Sequence, residues 1–454
     1  MLHSIAKSSE PWGLLAAGLL WSGFGLALVG LWIQPAGLAL SGLSGALSLL
    51  TLFVAAVVAS FSLRYMRADQ AAPLFFLQLV MLVAAVLVFL LSPHMLVLAA
   101  AWCASGWLLA RLIGHSRHWA EARAAARRAH RSFLIGDAAL LAALALLAWQ
   151  TATLDIHAAL AQASTLSAPM LSVIGLLLVI AAAARCALPP FANWLLSSMT
   201  APTPVSALMH AGLVNAGGFL LLRFAPLMEA APLARILALL LGVGAALYGI
   251  GIMMVRPDVK RALAGSTVSQ MGFMIMSCAL GAYGAALWHI VAHGLFKAWL
   301  FLGSGGAIGR KGGKSRAPVS LWAQGAIALI IGCIALLFIL NGQHDARLVP
   351  LLLALATAGA TLVAALNTAL PLRAKLGMLL LVLLLIAVHG AGLAWAQRAI
   401  GADAAPLVPA WVMLVLLLIF LSLWLWQQRR MPLRLYVHFI NAGALPPASK
   451  GDVQ

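Results

Sequence analysis

Residues 171–199 read LSVIGLLLVIAAAARCALPPFANWLLSSM. The stretch is apolar enough to cross a bilayer, yet it carries Arg185 almost midway and Pro189-Pro190 shortly after. A charge at bilayer depth costs at least about 2.5–3.5 kcal/mol, so it faces a cavity or a partner. Two prolines withdraw two backbone donors and break a helix. At that depth a broken helix persists only where protein or a water-filled cavity satisfies the freed groups. A cation beside such a break is a recurrent arrangement in ion-coupled carriers. The stretch therefore predicts an all-α polytopic membrane protein with one broken helix near Pro189-Pro190, where Arg185 acts as an electrostatic modulator. An arginine that snorkels to an interface is the competing reading.

Composition outward from this stretch agrees. The chain is 64% hydrophobic and 8% charged, whereas a soluble domain carries roughly a quarter charged residues. Apolar runs of about 20 residues give spans at 12–33, 38–63, 72–91, 95–113, 133–149, 171–199 and 205–224. They continue at 236–255, 262–281, 285–303, 321–340, 349–370, 376–396 and 411–426, about fourteen in all. With both termini cytoplasmic, the basic clusters at 64–67, 115–131, 256–261, 310–316, 373–375 and beyond 429 all fall inside. Asp155, Glu229 with Arg235, Asp345 with Arg347, and Arg398 with Asp403 fall outside. That asymmetry satisfies the positive-inside rule, and the location expected is a bacterial inner membrane. The net charge of +18 belongs to these loops and argues against a nucleic-acid partner. The N-terminus has no small-residue cleavage site, so its first apolar run is expected to stay in the lipid bilayer. The segment 114–132 reads as an amphipathic helix on the cytoplasmic surface, or as a contact for a partner subunit.

Of the ten acidic residues, only Asp137 falls inside an apolar run. It has Arg131 or a neighbouring helix as its prospective partner. His210 follows Pro202-Thr203-Pro204, and His289, His293 and Lys297 recur at four-residue spacing on one helical face. Histidine titrates near physiological pH, and lysine loses its proton more readily once desolvated. A line of such groups passes a proton, each titrating according to its neighbour's charge. Interhelical hydrogen bonding alone would also account for the line. A metal at His289 and His293 lacks a third ligand. Asp258, Lys260 and Arg261 read as a solvated cluster at a helix end, with Lys260 a possible member of the path. Cys103, Cys186, Cys278 and Cys333 lie in apolar stretches without paired spacing, which excludes a disulfide framework or zinc knuckle. The glycines at 303–309 follow no strand and make no nucleotide fingerprint. No Ser/His/Asp triad or flavin motif occurs, so no catalysis is expected in this chain.

Three blocks carry a family resemblance: Pro190-Phe191-Ala192-Asn193-Trp194-Leu195 with Ala201-Pro202-Thr203-Pro204-Val205-Ser206-Ala207-Leu208-Met209-His210; Asp258 through Gly272; and His289-Ile290-Val291-Ala292-His293-Gly294-Leu295-Phe296-Lys297. At these residues the chain resembles the antiporter-like subunits of respiratory complex I and of Mrp-type cation/proton antiporters. The resemblance implies two inverted five-helix repeats, each with a broken helix and a buried lysine, conducting protons. On that plan residues 1–71 are N-terminal helices, 72–235 the first repeat, 236–370 a degenerate second repeat, 371–428 C-terminal helices and 429–454 a cytoplasmic tail. The family's midmembrane lysine aligns with Arg185, its paired glutamate with Cys103 and the Asp of its Asp-Gly-Leu motif with Ser41. Its second broken helix falls on 321–340, which holds neither proline nor lysine. Arginine is effectively always charged, so any transferable proton is assigned to His210, His289, His293 and Lys297.

Val205 through Phe219, including Asn215-Ala216-Gly217-Gly218, and the tail from Leu435 to Gly443 are most similar to the membrane subunit of DAB-type inorganic-carbon accumulation complexes. That branch is often labelled NADH dehydrogenase subunit 5. The resemblance implies a large peripheral partner of DabA type, similar to a zinc β-carbonic anhydrase, with the zinc in the partner and no cofactor in this chain. Proton or Na⁺ entry would then energise CO2 hydration to bicarbonate. A subunit of a cation/proton antiporter or complex I-like pump, and a membrane anchor whose channel has decayed, are the other readings.

Overall fold

The computed structural model of the chain describes residues 2–33, 42–307, 371–401, 407–426 and 431–442. It also describes short stretches at 325, 329–334, 336–337, 349–350, 352–353, 355 and 359. The helices run α1 (Leu2–Ile33), α2 (Gly42–Tyr65), α3 (Ala72–Leu91), α4 (Met95–Ile113), α5 (Ala120–Thr151), α6 (Ile156–Ala161) and α7 (Ala168–Arg185). Then come α8 (Asn193–Ser197), α9 (Thr203–Ala211), α10 (Ala216–Arg223), α11 (Ala225–Glu229), α12 (Pro232–Val255), α13 (Val259–Leu280) and α14 (Tyr283–Gly303). After these follow α15 (Leu372–Ile400), α16 (Ala410–Trp426) and a C-terminal helix, Leu433–Ala442.

Among the described residues there is no β-strand, and 11 helices are long and apolar enough to cross a membrane. The all-α membrane fold is therefore as expected, since a chain in lipid must satisfy its backbone within helices. The expected spans at 321–340 and 349–370 lie largely outside the described residues. Ser41 also lies outside them.

Two local readings need correction. The segment expected to form a separate surface helix is continuous with the following span: α5 has 32 residues. At 1.5 Å per residue it is about 48 Å long, well beyond the roughly 30 Å hydrocarbon core. Ala122, Ala125 and Ala129 are buried along its first turns, while His130 and Arg131 are exposed, so small residues dock this extension and the charges stay wet. Arg185, midway along 171–199 in sequence, is the last residue of α7, just ahead of the expected break at Pro189-Pro190. The following span is itself interrupted. α9 ends at Ala211, Gly212 turns with φ −121° and ψ −60°, and a 3₁₀ turn, Leu213–Asn215, precedes α10.

The break after α7 is closed by specific donors. Cys186 N donates to the Ala182 carbonyl at 2.8 Å and Leu188 N to Ala183 at 3.0 Å. The Trp194 indole N–H reaches back to the Ala184 carbonyl at 2.9 Å. Ala187 takes the left-handed conformation, φ 56°, that such a helix end requires. The last carbonyls of α7, those of Ala182, Ala183 and Ala184, are thus satisfied within the protein.

Contacts divide the described chain into two units. The first contains α1–α12, α13 as far as Met276, the part of α14 from His289 and the end of the C-terminal helix from Phe439. In it α12 and α13 approach backbone to backbone. Gly242 and Gly249, two turns apart, face Gly272 and Gly265, and a Cβ on Gly249 would collide with the Ser269 backbone. Small residues at such a seam let helix backbones meet in a solvent that offers no hydrophobic drive. The second unit contains Ser277–Trp288 with α15, α16 and the start of the C-terminal helix. Ile331, Leu352, Leu417 and Leu421 form a buried cluster there.

Candidate functional site

Arg185 is 3% exposed, which rules out snorkelling. Its Nη2 donates to Asp137 Oδ1 at 3.1 Å and to the Trp102 carbonyl at 3.0 Å. Nη1 lies 3.4 Å from Ser105 Oγ. The guanidinium sits 4.2 Å from the Trp102 ring centroid and 4.8 Å from that of Phe133, so two aromatic faces sandwich it. Gly106 clears the space: a Cβ there would stand 2.8 Å from Nη1. The partner of Asp137 is therefore Arg185 on α7, and Arg131 is exposed elsewhere. Cys103 is half-buried on α4, and its thiol interacts with both Asp137 and Arg185. The carboxylate expected opposite the cation at position 103 is supplied from α5 instead.

His210, His293 and Lys297 are buried, at 2%, 6% and 1% exposure. His210 stacks on Phe301 at 4.1 Å between centroids, and its Nδ1 lies 3.0 Å from Thr267 Oγ1. Thr267 donates to the Leu263 carbonyl at 3.0 Å, and Lys297 Nζ donates to the same carbonyl at 3.1 Å. With the single hydroxyl proton of Thr267 so committed, its oxygen accepts from His210 Nδ1–H. The His293 ring meets the backbone of His210 and stacks with His289 at 5.6 Å and 16°. All four sequence-predicted residues thus come together, and Thr267 joins them. Thr267 sits inside one of the family blocks, but nothing in its spacing marks it.

Lys260 is not simply solvated. Its Nζ donates to the carbonyl of Ala201 at 3.2 Å and, at 3.5 Å, to that of Met199. Asp258 caps α13, accepting from Arg261 N at 2.8 Å. Between Arg185 and the α9–α10 interruption lies a cavity of about 30 Å³, lined by Thr51, Ser105, Arg185, Gly212, Asn215 and apolar side chains. That volume accommodates about two waters. Asn215 Nδ2 donates to the Ala211 carbonyl at 2.8 Å. Its Oδ1 is buried without a protein partner among the described residues.

Residues 92–321, just over half of the chain, match the family described as NADH:quinone oxidoreductase/Mrp antiporter, TM. The chain belongs to this antiporter family. A probable inorganic carbon transporter subunit DabB of Bacillus subtilis (strain 168) is 39% identical over 297 residues, covering 63% of this chain and 58% of the relative. The DabB1 subunit of Halothiobacillus neapolitanus is 35% identical over 294 residues, covering 63% and 51%. An NADH-quinone oxidoreductase subunit L of Mycobacterium tuberculosis (strain ATCC 25618 / H37Rv) is 36% identical over 275 residues, covering 60% and 43%. The chain thus spans about half the length of these curated relatives. Among solved structures, the Mrp complex from Dietzia sp. DQ12-45-1b superposes with a TM-score of 0.67 at 26% identity, over 93% of this chain and 55% of that one. Within the antiporter family, this chain joins Arg185 to Asp137 and gathers its histidines and lysine on α9 and α14.

Proposed function

We propose that this chain is the membrane subunit of an inorganic-carbon accumulation complex, passing protons inward to energise CO2 hydration by a carbonic-anhydrase-like partner. The observation that carries the reading is the buried cluster in which Lys297 Nζ and Thr267 Oγ1 both donate to the Leu263 carbonyl, Thr267 meets His210 Nδ1, and His293 stacks on His289. A carbonyl passes no proton, so transfer between these groups runs through bridging water. Thr267 is suited to position His210. With its own proton on the Leu263 carbonyl, its oxygen accepts from His210 Nδ1–H and so fixes the tautomer in which Nε2 is the proton-accepting nitrogen. Arg185 stays charged and, closed on Asp137, contributes a fixed field rather than a transferable proton. The DabB relatives support the inorganic-carbon branch. The partner is a large peripheral DabA-type subunit carrying the zinc, the coupling ion a proton or Na⁺, and the location a bacterial inner membrane with both termini cytoplasmic.

The test is CO2-dependent growth of a carbonic-anhydrase-deficient host expressing this chain with its partner. The double variant Lys297→Ala/His293→Ala is expected to abolish rescue and to lower proton flux by about 100-fold or more. Rescue that persists unchanged sinks the relay. The likeness to the Mrp complex favours a second reading, a cation/proton antiporter subunit. Na⁺-dependent proton exchange by vesicles holding this chain without the carbonic-anhydrase-like partner would select it.

A further inference from the structure

α15 carries one ionisable side chain between Lys375 and Arg398, and that is His389. Around it the helix presents Leu381, Leu384, Leu385 and Val388 outward, as a lipid-facing span does. A titratable ring in such a helix is costly and marks a pathway or a partner. Here the partner is explicit: Trp288 Nε1 donates to His389 Nδ1 at 2.8 Å. Gly392, one turn along α15, makes the contact possible, because a Cβ there would overlap the Trp288 indole. The indole therefore occupies a slot that the missing side chain leaves. Trp288 precedes His289 on α14, the helix that also carries His293 and Lys297.

We propose that His389 is a further proton-transfer residue of this chain and that Trp288 is its latch. The inference rests on the proton-conducting reading above. Indole N–H only donates, so Nδ1 accepts and the ring's own proton sits on Nε2. While Trp288 is in place, Nδ1 has no lone pair to offer. When the indole swings away, a hydronium ion in water entering the vacated slot gives its proton to Nδ1, forming the imidazolium. The Nε2 proton then passes to a water on the other side of the ring: one proton enters, one leaves, and the ring returns to neutrality as the other tautomer. A ring flip resets the latch.

The experiment measures proton flux into proteoliposomes that contain the full chain with its partner, using a pH-sensitive dye inside the vesicle. His389→Gln keeps a polar side chain but cannot carry the proton, and is expected to cut flux by about 100-fold or more. Trp288→Phe keeps the ring, removes the donor and is expected to raise flux several-fold above the unaltered chain. Flux lost in Lys297→Ala/His293→Ala but retained in His389→Gln overturns this inference and leaves the relay standing. Flux retained in the double variant sinks the relay reading instead. Where His389→Gln does not assemble, imidazole ¹⁵N shifts decide. His389 Nδ1 must report as an acceptor in the unaltered chain and lose that signature in Trp288→Phe. Identical spectra overturn the latch.

Discussion

Arg185 and Asp137 stand 48 positions apart and meet at 3.1 Å in a site closed by Trp102, Phe133 and Ser105. Removing one partner of a buried pair leaves an uncompensated charge, at a cost of about 3–5 kcal/mol, whereas replacing both with apolar groups is often neutral. Asp137→Ala is therefore expected to lower stability by about that amount in a detergent unfolding series. Asp137→Ala/Arg185→Met should recover most of the stability without recovering CO2-dependent growth. A double variant that supports full growth would remove the pair from the mechanism. The residues themselves were legible, since a lone acid and a lone arginine inside apolar runs stand out in a chain that is 8% charged. Their partnership was not. The sequence leaves Asp137 a choice between Arg131 and an unnamed residue of a neighbouring helix, because it shows neighbours along a helix but not across a bundle. Thr267 was hidden for a related reason: its role depends on a backbone carbonyl, at Leu263, which every residue possesses.

Breaks and seams belong to the scale of elements. The interruption at Pro189-Pro190 announces itself, whereas the one at Gly212 does not, because a single glycine inside an apolar run is tolerated far more often than it breaks a helix. Hydrophobicity alone also divided α5 into a surface segment and a span, since its arginines interrupt the apolar pattern without interrupting the helix. The α12–α13 seam offers a contrast within one helix. A Cβ at Gly249 would meet the Ser269 backbone, while one at Gly244 would meet nothing within 4 Å. Gly249→Ala is expected to destabilise by about 1–3 kcal/mol through overpacking. Gly244→Ala should be neutral or stabilising by up to about 1 kcal/mol, from the gain in helix propensity. Thermal unfolding of the two variants in detergent separates these outcomes, and equal effects would show that the seam does not control packing.

At the scale of the whole molecule, charge fixes orientation, and orientation depends on the parity of every crossing. His115 bonds Asp69 at 2.8 Å, so the connections after α2 and α4 meet on one side. Both belong to the basic side, along with Arg256 between α12 and α13. By the same rule the proposed orientation has α14 ending at the cytoplasmic face at Gly303 and α15 starting from it at Arg373 and Lys375. The chain between them must then cross the bilayer an even number of times. The sequence reading assigns those crossings to the apolar runs at 321–340 and 349–370, which lie largely outside the described residues, and so expects Asp345 on the outside. In a cysteine-free background, single cysteines at Asp345 and Glu229 should react with a membrane-impermeant maleimide added to intact cells. Cysteines at Arg117, Arg256 and Lys375 should react only after the membrane is opened. Labelling at Asp345 confined to opened cells, with Lys375 unchanged, would mean that neither run crosses. The expected count would fall from about fourteen to about twelve, while the proposed parity, with Lys297 towards the cytoplasm and His289 towards the outside, would survive.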